Sequence, residues 1–335
     1  FGVFEMAQRE NVSKLRKTME IVRKTRSIGV IFALIVLVIL ASLLSPYFLS
    51  GYNLQALTRS LAFVGMIALG QACLLLIGEL DLSVGAIAGF CGVIGGVLII
   101  NLGFHHWLAF GLCLLLGAGC GFLNGALVAK LNLNSLVVTV GMTGVYTGLN
   151  LVISKGRAIT GIPKALYFLG QGDFLGIPAP FIIMIGVAGV VLFVTQNTIF
   201  GRYMYSVGNN REASKILGIR VERVQIITFM MAGLFAALAG MIMVARLGSS
   251  QPAIGQEWVL PSIASSVIGG VSPAGGIGNP VGAVLGAVIT GVIENIIVIF
   301  GISPYWQTAV SGVVVVAAVS LDSIQRIFYE RKVKL

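Results

Sequence analysis

Carboxylates within otherwise apolar sequence are the residues of this chain with the clearest chemical potential. Glu79 and Asp81 lie in the segment GELDLSVG between two apolar runs, and Glu294, followed by Asn295, lies inside a third run. A charged group in hydrocarbon is costly, and such a group usually faces a partner or a water-filled path. We therefore predict that these four residues lie on a solute path or at a hinge beside one.

Each carboxylate also has a structural explanation. Asp81, together with Ser83, can cap the helix that follows, where free backbone N–H groups stabilise a negative charge. Glu79 can lie at the aqueous edge of the membrane. Glu294 is the hardest of the three to leave facing lipid, and Arg246, at an outer helix end, is a candidate counter-ion.

Neutral polar side chains within the apolar runs extend this candidate set. A single amide or hydroxyl in a membrane helix is more often a tie between helices than a ligand for solute. Considered together, and with so few charges, they favour an uncharged, hydroxylated solute over an anion or a metal cation. These residues are Asn124, Asn150, Thr139 and Gln71.

Several catalytic patterns are missing from the sequence. It contains no GxxxxGK[ST] phosphate loop, so this chain does not bind and hydrolyse ATP by that route. Its two histidines, His105 and His106, are adjacent in a loop, and its four cysteines form no CxxC pair. We expect no enzyme activity, no cofactor and no metal site in this polypeptide.

The composition places these residues in a membrane protein. With 57% hydrophobic and 10% charged residues, a chain of 335 residues would expose too much apolar surface in water. The net charge of +10 does not indicate nucleic-acid binding, because sixteen of the 22 cations lie in three segments. Such clustering is typical of the cytoplasmic segments of membrane proteins. We predict an all-α polytopic membrane protein.

Apolar run lengths give the number of spans, since a helix needs about 20 residues to cross the hydrocarbon. Nine runs qualify, and the short apolar piece Trp258–Val271 supplies a tenth crossing that returns the basic tail to the cytoplasm. We thus predict about ten transmembrane helices, some short or broken, with both termini cytoplasmic. The nine runs lie near 28–45, 55–78, 84–101, 107–129, 133–153, 179–196, 225–246, 281–300 and 304–322.

This count defines the domain organisation. Residues 1–27 form a basic cytoplasmic segment, 28–322 the transmembrane domain and 323–335 a basic cytoplasmic tail. The longest external loop is 154–178, which is a candidate surface for an extracytoplasmic partner. Glycines at four-residue steps permit close helix contact within the transmembrane domain. They are Gly85 and Gly89; Gly117, Gly121 and Gly125; and Gly278, Gly282 and Gly286.

The cytoplasmic loop 197–224 is the longest charged segment in the chain interior. Asn209 or Asn210 can cap a short helix over Arg211–Leu217, which ends at Gly218. Helical spacing puts three apolar residues of this helix on one face: Ala213, Ile216 and Leu217. A seven-residue helix is not stable alone in water, so it packs on its own bundle or binds a partner.

Several motifs of the chain resemble a known family. The pair Glu212-Ala213 followed by Gly218 is similar to the EAA-type coupling segment of binding-protein-dependent ABC permeases. Over residues 45–322 the chain resembles the sugar branch, typified by ribose, galactose and xylose permeases. That branch usually reads ITGGIDLSVG where this chain has Glu79 for the second glycine, and Pro273 stands where leucine is commoner. The motifs are GELDLSVG, GRYMYSVGNNREASKILGIRVERV, ARLGSSQPAIGQEWVLPSIASSVIGGVSPAGGIGN and GISPYWQ.

The resemblance implies an importer subunit in a bacterial cytoplasmic (inner) membrane, with several partners. They are a second permease subunit, identical or related, two cytoplasmic ABC ATPase domains that bind the ATP, and an extracytoplasmic solute-binding protein. The implied coupling helix uses Arg211, Glu212, Ala213, Lys215, Ile216, Leu217 and Gly218.

Other functions stay open at the level of sequence. A secondary transporter or a facilitative channel with broken helices also fits the short piece and the glycine-rich hinges. A membrane enzyme would need a catalytic constellation that the sequence lacks. Within the permease interpretation a monosaccharide is the expected solute, while nucleosides, a quorum-sensing sugar derivative and branched-chain amino acids are alternatives.

Overall fold

The computed structural model of the chain describes residues 31–333 apart from residues 33 and 304. The basic segment 1–27 lies outside the described residues. The helices are α1 (Leu34–Leu44), α2 (Gly51–Leu76), α3 (Val84–Gly96, continued by a π turn Val97–Asn101), α4 (His106–Lys130), α5 (Ser135–Ser154), α6 (Tyr167–Gln171), α7 (Ala179–Asn197), α8 (Ile199–Asn209), α9 (Arg211–Ile216), α10 (Val221–Leu247), α11 (Val259–Ile268), α12 (Gly282–Ile299) and α13 (Tyr305–Val333).

Seven helices of the described part are long and apolar enough to cross a membrane: α2, α3 with its π turn, α4, α5, α7, α10 and α12. Two shorter apolar helices, Leu34–Leu44 and Trp306–Ser320, occupy the first and last predicted spans. The prediction of an all-α polytopic membrane protein is confirmed, while the count of ten crossings and the side of the termini stay predictions. Helix α13 continues past the predicted end of the last span at residue 322.

Helix α2 is the centre of the bundle. It contacts α7, α10, α11 and α12, and its second half is buried on every side. Large apolar side chains such as Phe63, Met66 and Leu74 fill the space between these helices. A helix that is apolar on all sides is expected to be enclosed by other helices, and the second half of α2 is almost entirely apolar.

Glycines of two stripes are sites of close helix contact, as the sequence predicts, whereas Gly85 and Gly89 meet the irregular segment before α11 and Gly278 precedes α12. A Cβ atom on Gly121 of α4 would lie 2.2 Å from the carbonyl oxygen of Phe229 in α10. A Cβ atom on Gly286 of α12 would lie 1.9 Å from the carbonyl oxygen of Ser265 in α11. Only glycine permits these backbones to approach so closely.

The predicted short crossing forms the ten-residue helix α11 with an irregular segment before it. The Trp258 ring stacks on Phe63 at 5.5 Å between centroids, and the Ser266 hydroxyl donates to the Ala68 carbonyl at 2.9 Å. Helix α11 therefore runs beside α2 in the same direction. The preceding segment lies against α3, since a Cβ atom on Gly85 would be 2.3 Å from the Gly255 carbonyl oxygen.

The loop 154–178 folds into small elements at one end of the bundle. Strand β1 (Ile159–Thr160) pairs antiparallel with β4 (Ser249–Ser250), and β2 (Asp173–Phe174) forms a hairpin with β3 (Ile177–Pro178). The hairpin tip is apolar and exposed, with Leu175 89% accessible.

Candidate functional site

The predicted coupling helix is present as α9. Its N-cap is Asn210, whose side-chain oxygen accepts from the Ala213 N–H at 2.9 Å, so Asn210 is the capping residue of the two predicted. The helix ends at Ile216, one residue earlier than predicted, with Leu217 as C-cap. Gly218 follows with φ of +78°, a left-handed conformation that favours glycine.

One face of α9 is attached to the bundle and the opposite face is free. The buried Ser214 hydroxyl lies 2.8 Å from the Ser206 hydroxyl of α8. Ile216 and Leu217 are 87% and 76% exposed, and Ala213 is also exposed. Two large apolar side chains with this exposure at the tip of a charged loop form a surface suited to a protein partner.

Glu79 is buried, with 5% of its surface accessible, and does not lie free at an aqueous edge. Its Oε1 atom accepts from Arg211 Nη2 and from Gln225 Nε2, both at 2.7 Å. The same Arg211 nitrogen donates to the Ile77 and Gly78 carbonyls at 3.2 and 3.3 Å. The turn after α2 is thus bonded to the first residue of α9.

Asp81 is at the centre of a second polar cluster. Its Oδ1 atom accepts from the Ser83 N–H at 2.7 Å and the Ser83 hydroxyl at 2.6 Å, and its Oδ2 atom accepts from Asn124 Nδ2 at 3.0 Å. Gln71 bonds the Asp81 backbone, and the Tyr146 hydroxyl donates to the Asn124 side-chain oxygen at 3.0 Å. Burial raises the pKa of the Asp81 carboxyl, while these hydrogen bonds from Ser83 and Asn124 lower it.

The Asp81 cluster holds the turn ahead of α3 and does not cap the helix. Helix α3 begins at Val84, two residues later than predicted, and its N-cap Ser83 makes no side-chain capping bond, so the predicted helix cap is not formed. The Asp81 carboxylate instead accepts from the N–H of Ser83 itself. It also ties the turn after α2 to α4 through Asn124. These hydrogen bonds attach the segment 77–83 between α2 and α3, which we call the hinge, to α4.

The remaining candidates lie elsewhere in the bundle. Asn150 of α5 donates to the Pro252 carbonyl at 3.0 Å, which fixes the irregular segment before α11. Asn295 exchanges two hydrogen bonds with Asn53 at 3.0 and 2.8 Å, tying α12 to α2. Glu294 lines a small cavity between α11, α12 and α13 together with Ser311.

Arg246 is not the counter-ion of Glu294 within the described structure, and that prediction is wrong. The Arg246 guanidinium carbon lies 5.5 Å from the centre of the Phe63 ring, in a cation–π contact. Gln171 of α6 donates to the Arg246 carbonyl at 2.8 Å, and Arg59 donates to the Gln171 carbonyl at 3.1 Å. Packing of the loop 154–178 onto α10 thus holds Arg246 over an aromatic ring.

The candidate residues therefore do not form one pocket. Glu79 and Arg211 join the hinge to α9, the Asp81 cluster joins the same hinge to α4 and α5, and the Asn295 pair lies toward the other end of α2. Sequence reasoning missed the roles of Arg211, Gln225 and Tyr146 in these clusters. A buried carboxylate demands a cation, but no local spacing indicates which cation when the partners are 132 residues apart.

Comparison with known proteins gives consistent matches along most of the chain. Residues 53–319 match the family model described as branched-chain amino acid transport system, permease component. The ribose import permease protein of Bacillus subtilis (strain 168) is 39% identical over 300 residues, or 89% of this chain and 92% of that protein. The autoinducer 2 import system permease protein of Shigella flexneri is 33% identical over 316 residues, or 94% and 92% of the two chains. The ribose import permease protein of Escherichia coli (strain K12) is 35% identical over 297 residues, or 88% and 92%.

Proposed function

The chain belongs to the family of branched-chain amino acid transport system permease components, and we propose that it forms the translocation path for a neutral monosaccharide. It is a multi-pass protein of the inner membrane and the permease component of a sugar ABC importer. The finer statements that follow, on solute, partners and the roles of residues, are part of the proposal.

The observation that carries the proposal is the exposed apolar tip of α9. We infer that α9 inserts Ala213, Ile216 and Leu217 into a cleft on an ABC ATPase, since burying Ile216 and Leu217 would remove two large apolar side chains from water. Two ATPase domains bind the ATP, and this chain needs no cofactor of its own. Their closure moves the α9 segments of two permease subunits, which form a homodimer or a heterodimer.

Two features support a neutral solute. Most of the buried polar side chains among the described residues carry an amide or a hydroxyl group, and the buried carboxylates Glu79 and Asp81 are already bonded to protein groups. The relatives are named for ribose and for autoinducer 2 import. A neutral monosaccharide is therefore the first candidate, and an autoinducer 2-like sugar derivative is the second.

A solute-binding protein completes the importer on the side opposite α9. The exposed hairpin of the loop 154–178 offers Phe174, Leu175 and Ile177 to such a partner. In importers of this kind the binding protein does most of the selection of solute. Ligand binding to that protein therefore identifies the substrate.

Thermal unfolding of the binding protein that copurifies with this chain tests the proposed solute. We expect one neutral monosaccharide, with D-ribose tested first, to raise its melting temperature, because a ligand that binds only the folded state stabilises it. At 100 times the Kd the stabilisation is about 2.7 kcal/mol. Autoinducer 2 is tested as the second candidate ligand, and L-leucine is the control. A shift with L-leucine and none with any sugar would contradict the proposal.

A further inference from the structure

We propose that the ion pair between Glu79 and Arg211 makes the hinge between α2 and α3, residues 77–83, move together with α9 during transport. The inference rests on the proposed docking of α9 to an ATPase. Glu79 and Arg211 act as positioning residues in this proposal, because both act through the hinge and neither is assigned a contact with solute.

The bond between α9 and the hinge uses several acceptors. Arg211 is the first residue of α9, and its Nη2 atom lies within 3.3 Å of oxygens of Ile77, Gly78 and Glu79. Two of these acceptors are carbonyls at the end of α2, where the helix dipole favours a cation. The Arg211 side chain is 40% exposed whereas that of Glu79 is 5% exposed. Separation of the pair would therefore leave a buried carboxylate without its cation, which is strongly unfavourable.

The far side of the hinge is attached to different helices. Asp81, two residues after Glu79, is bonded to Asn124 of α4, and Asn124 is bonded to Tyr146 of α5. Side-chain hydrogen bonds at both ends of the hinge, joined by its backbone, thus connect α9 to the membrane helices α4 and α5. Since a hydrogen bond of 2.7 Å weakens once its atoms separate by about 1 Å, a shift of α9 that exceeds what reorientation of the Arg211 side chain absorbs either breaks the pair or displaces the hinge.

The loop 272–278 encloses the same junction. Gly276 N–H donates to the Leu76 carbonyl at 2.8 Å, and a Cβ atom on Gly275 would be 3.1 Å from the backbone nitrogen of Gly78. The hinge thus has little free space on this side. We infer that it responds to α9 as a unit and does not absorb the motion by local rearrangement.

Glu79 is also a departure of this chain from the motif it resembles. The usual residue at this position is glycine, which has no side chain to bond Arg211. A glycine would leave only the carbonyl acceptors, so the carboxylate adds a charged link that the motif itself does not provide.

Hydrogen exchange of the assembled transporter tests this link without knowledge of the solute. The complex of permease and ATPase is compared without nucleotide and with ATP plus vanadate, following peptides that cover 211–218 and 77–83. In the unaltered chain we expect both segments to change their exchange. In Glu79→Gln and in Arg211→Gln we expect the α9 segment to respond and the hinge response to fall at least fivefold. The double variant should show no further loss, because both substitutions remove the same contact.

The control is Glu222→Gln, which removes an exposed carboxylate in the first turn of α10 and should leave both responses intact. A hinge response of normal size in Arg211→Gln, whose half-exposed side chain tolerates the change, overturns the inference. So does an unaltered chain whose α9 segment responds while its hinge does not. If α9 itself fails to respond to nucleotide, the proposed docking is wrong, which is a separate result.

Discussion

Replacement of Ala213 and Leu217 by aspartate should reduce ATP-driven uptake by about 100-fold. Ala213 of α9 and Leu217 at its C-cap are both exposed on the surface that we assign to the ATPase cleft. A carboxylate forced into an apolar interface loses its hydration without gaining a partner, and a cost of about 3 kcal/mol corresponds to a factor of roughly 100. ATP hydrolysis should continue in the double variant without solute uptake.

The measurement is uptake and ATP hydrolysis in the same proteoliposomes, with the amounts of assembled subunits compared. Leu131→Asp is a matched control, because Leu131 is also apolar and 61% exposed but lies in the turn between α4 and α5. This control should retain uptake. Normal uptake by a normally assembled double variant would refute the docking role of α9.

The second large effect is expected at Gly208 in α8. A Cβ atom there would lie 1.9 Å from the Leu76 carbonyl oxygen and 2.5 Å from the Gly276 nitrogen, two atoms that are bonded to each other at 2.8 Å. Gly208→Ala must therefore separate the ends of α2 and α8 from the loop 272–278. We expect a loss of about 3 kcal/mol, at the upper end of the cost of overpacking, and a correspondingly lower melting temperature in detergent.

Gly189→Ala in α7 provides the control for this prediction. Its added methyl group would meet no atom within 4 Å. The control should therefore melt within a few degrees of the unaltered protein. Equal melting temperatures for the two variants would mean that the junction at Gly208 opens without cost.

Features that depend on local sequence were predictable. The apolar runs predicted the long helices. Asn210 and Gly218 predicted the two ends of α9, since helix capping and termination depend on a few neighbouring residues. The four-residue glycine spacing predicted close contact, and Gly121 and Gly286 make such contacts. The short piece after Trp258 was too short for a regular span, and it forms the ten-residue helix α11.

Long-range pairings were not predictable from this sequence. Glu79 and Arg211 are 132 residues apart, and no periodic pattern relates them. The wrong pairing of Arg246 with Glu294 has the same origin, because charge complementarity alone selects among many possible partners. Its actual neighbour, Phe63, became available only because α2 and α10 pack together and the loop 154–178 covers their ends.

We propose that transport through this chain requires energy from a separate ATPase, and sugar flux through purified components tests this requirement. Proteoliposomes would contain this chain alone, with its ATPase, or with an ATPase whose nucleotide site is inactivated, and the binding protein and its sugar would be supplied to each. We predict uptake only in the vesicles that hold the active ATPase and ATP. Equal sugar flux through the chain alone would show that no ATPase is required and would identify a facilitative channel or a secondary transporter.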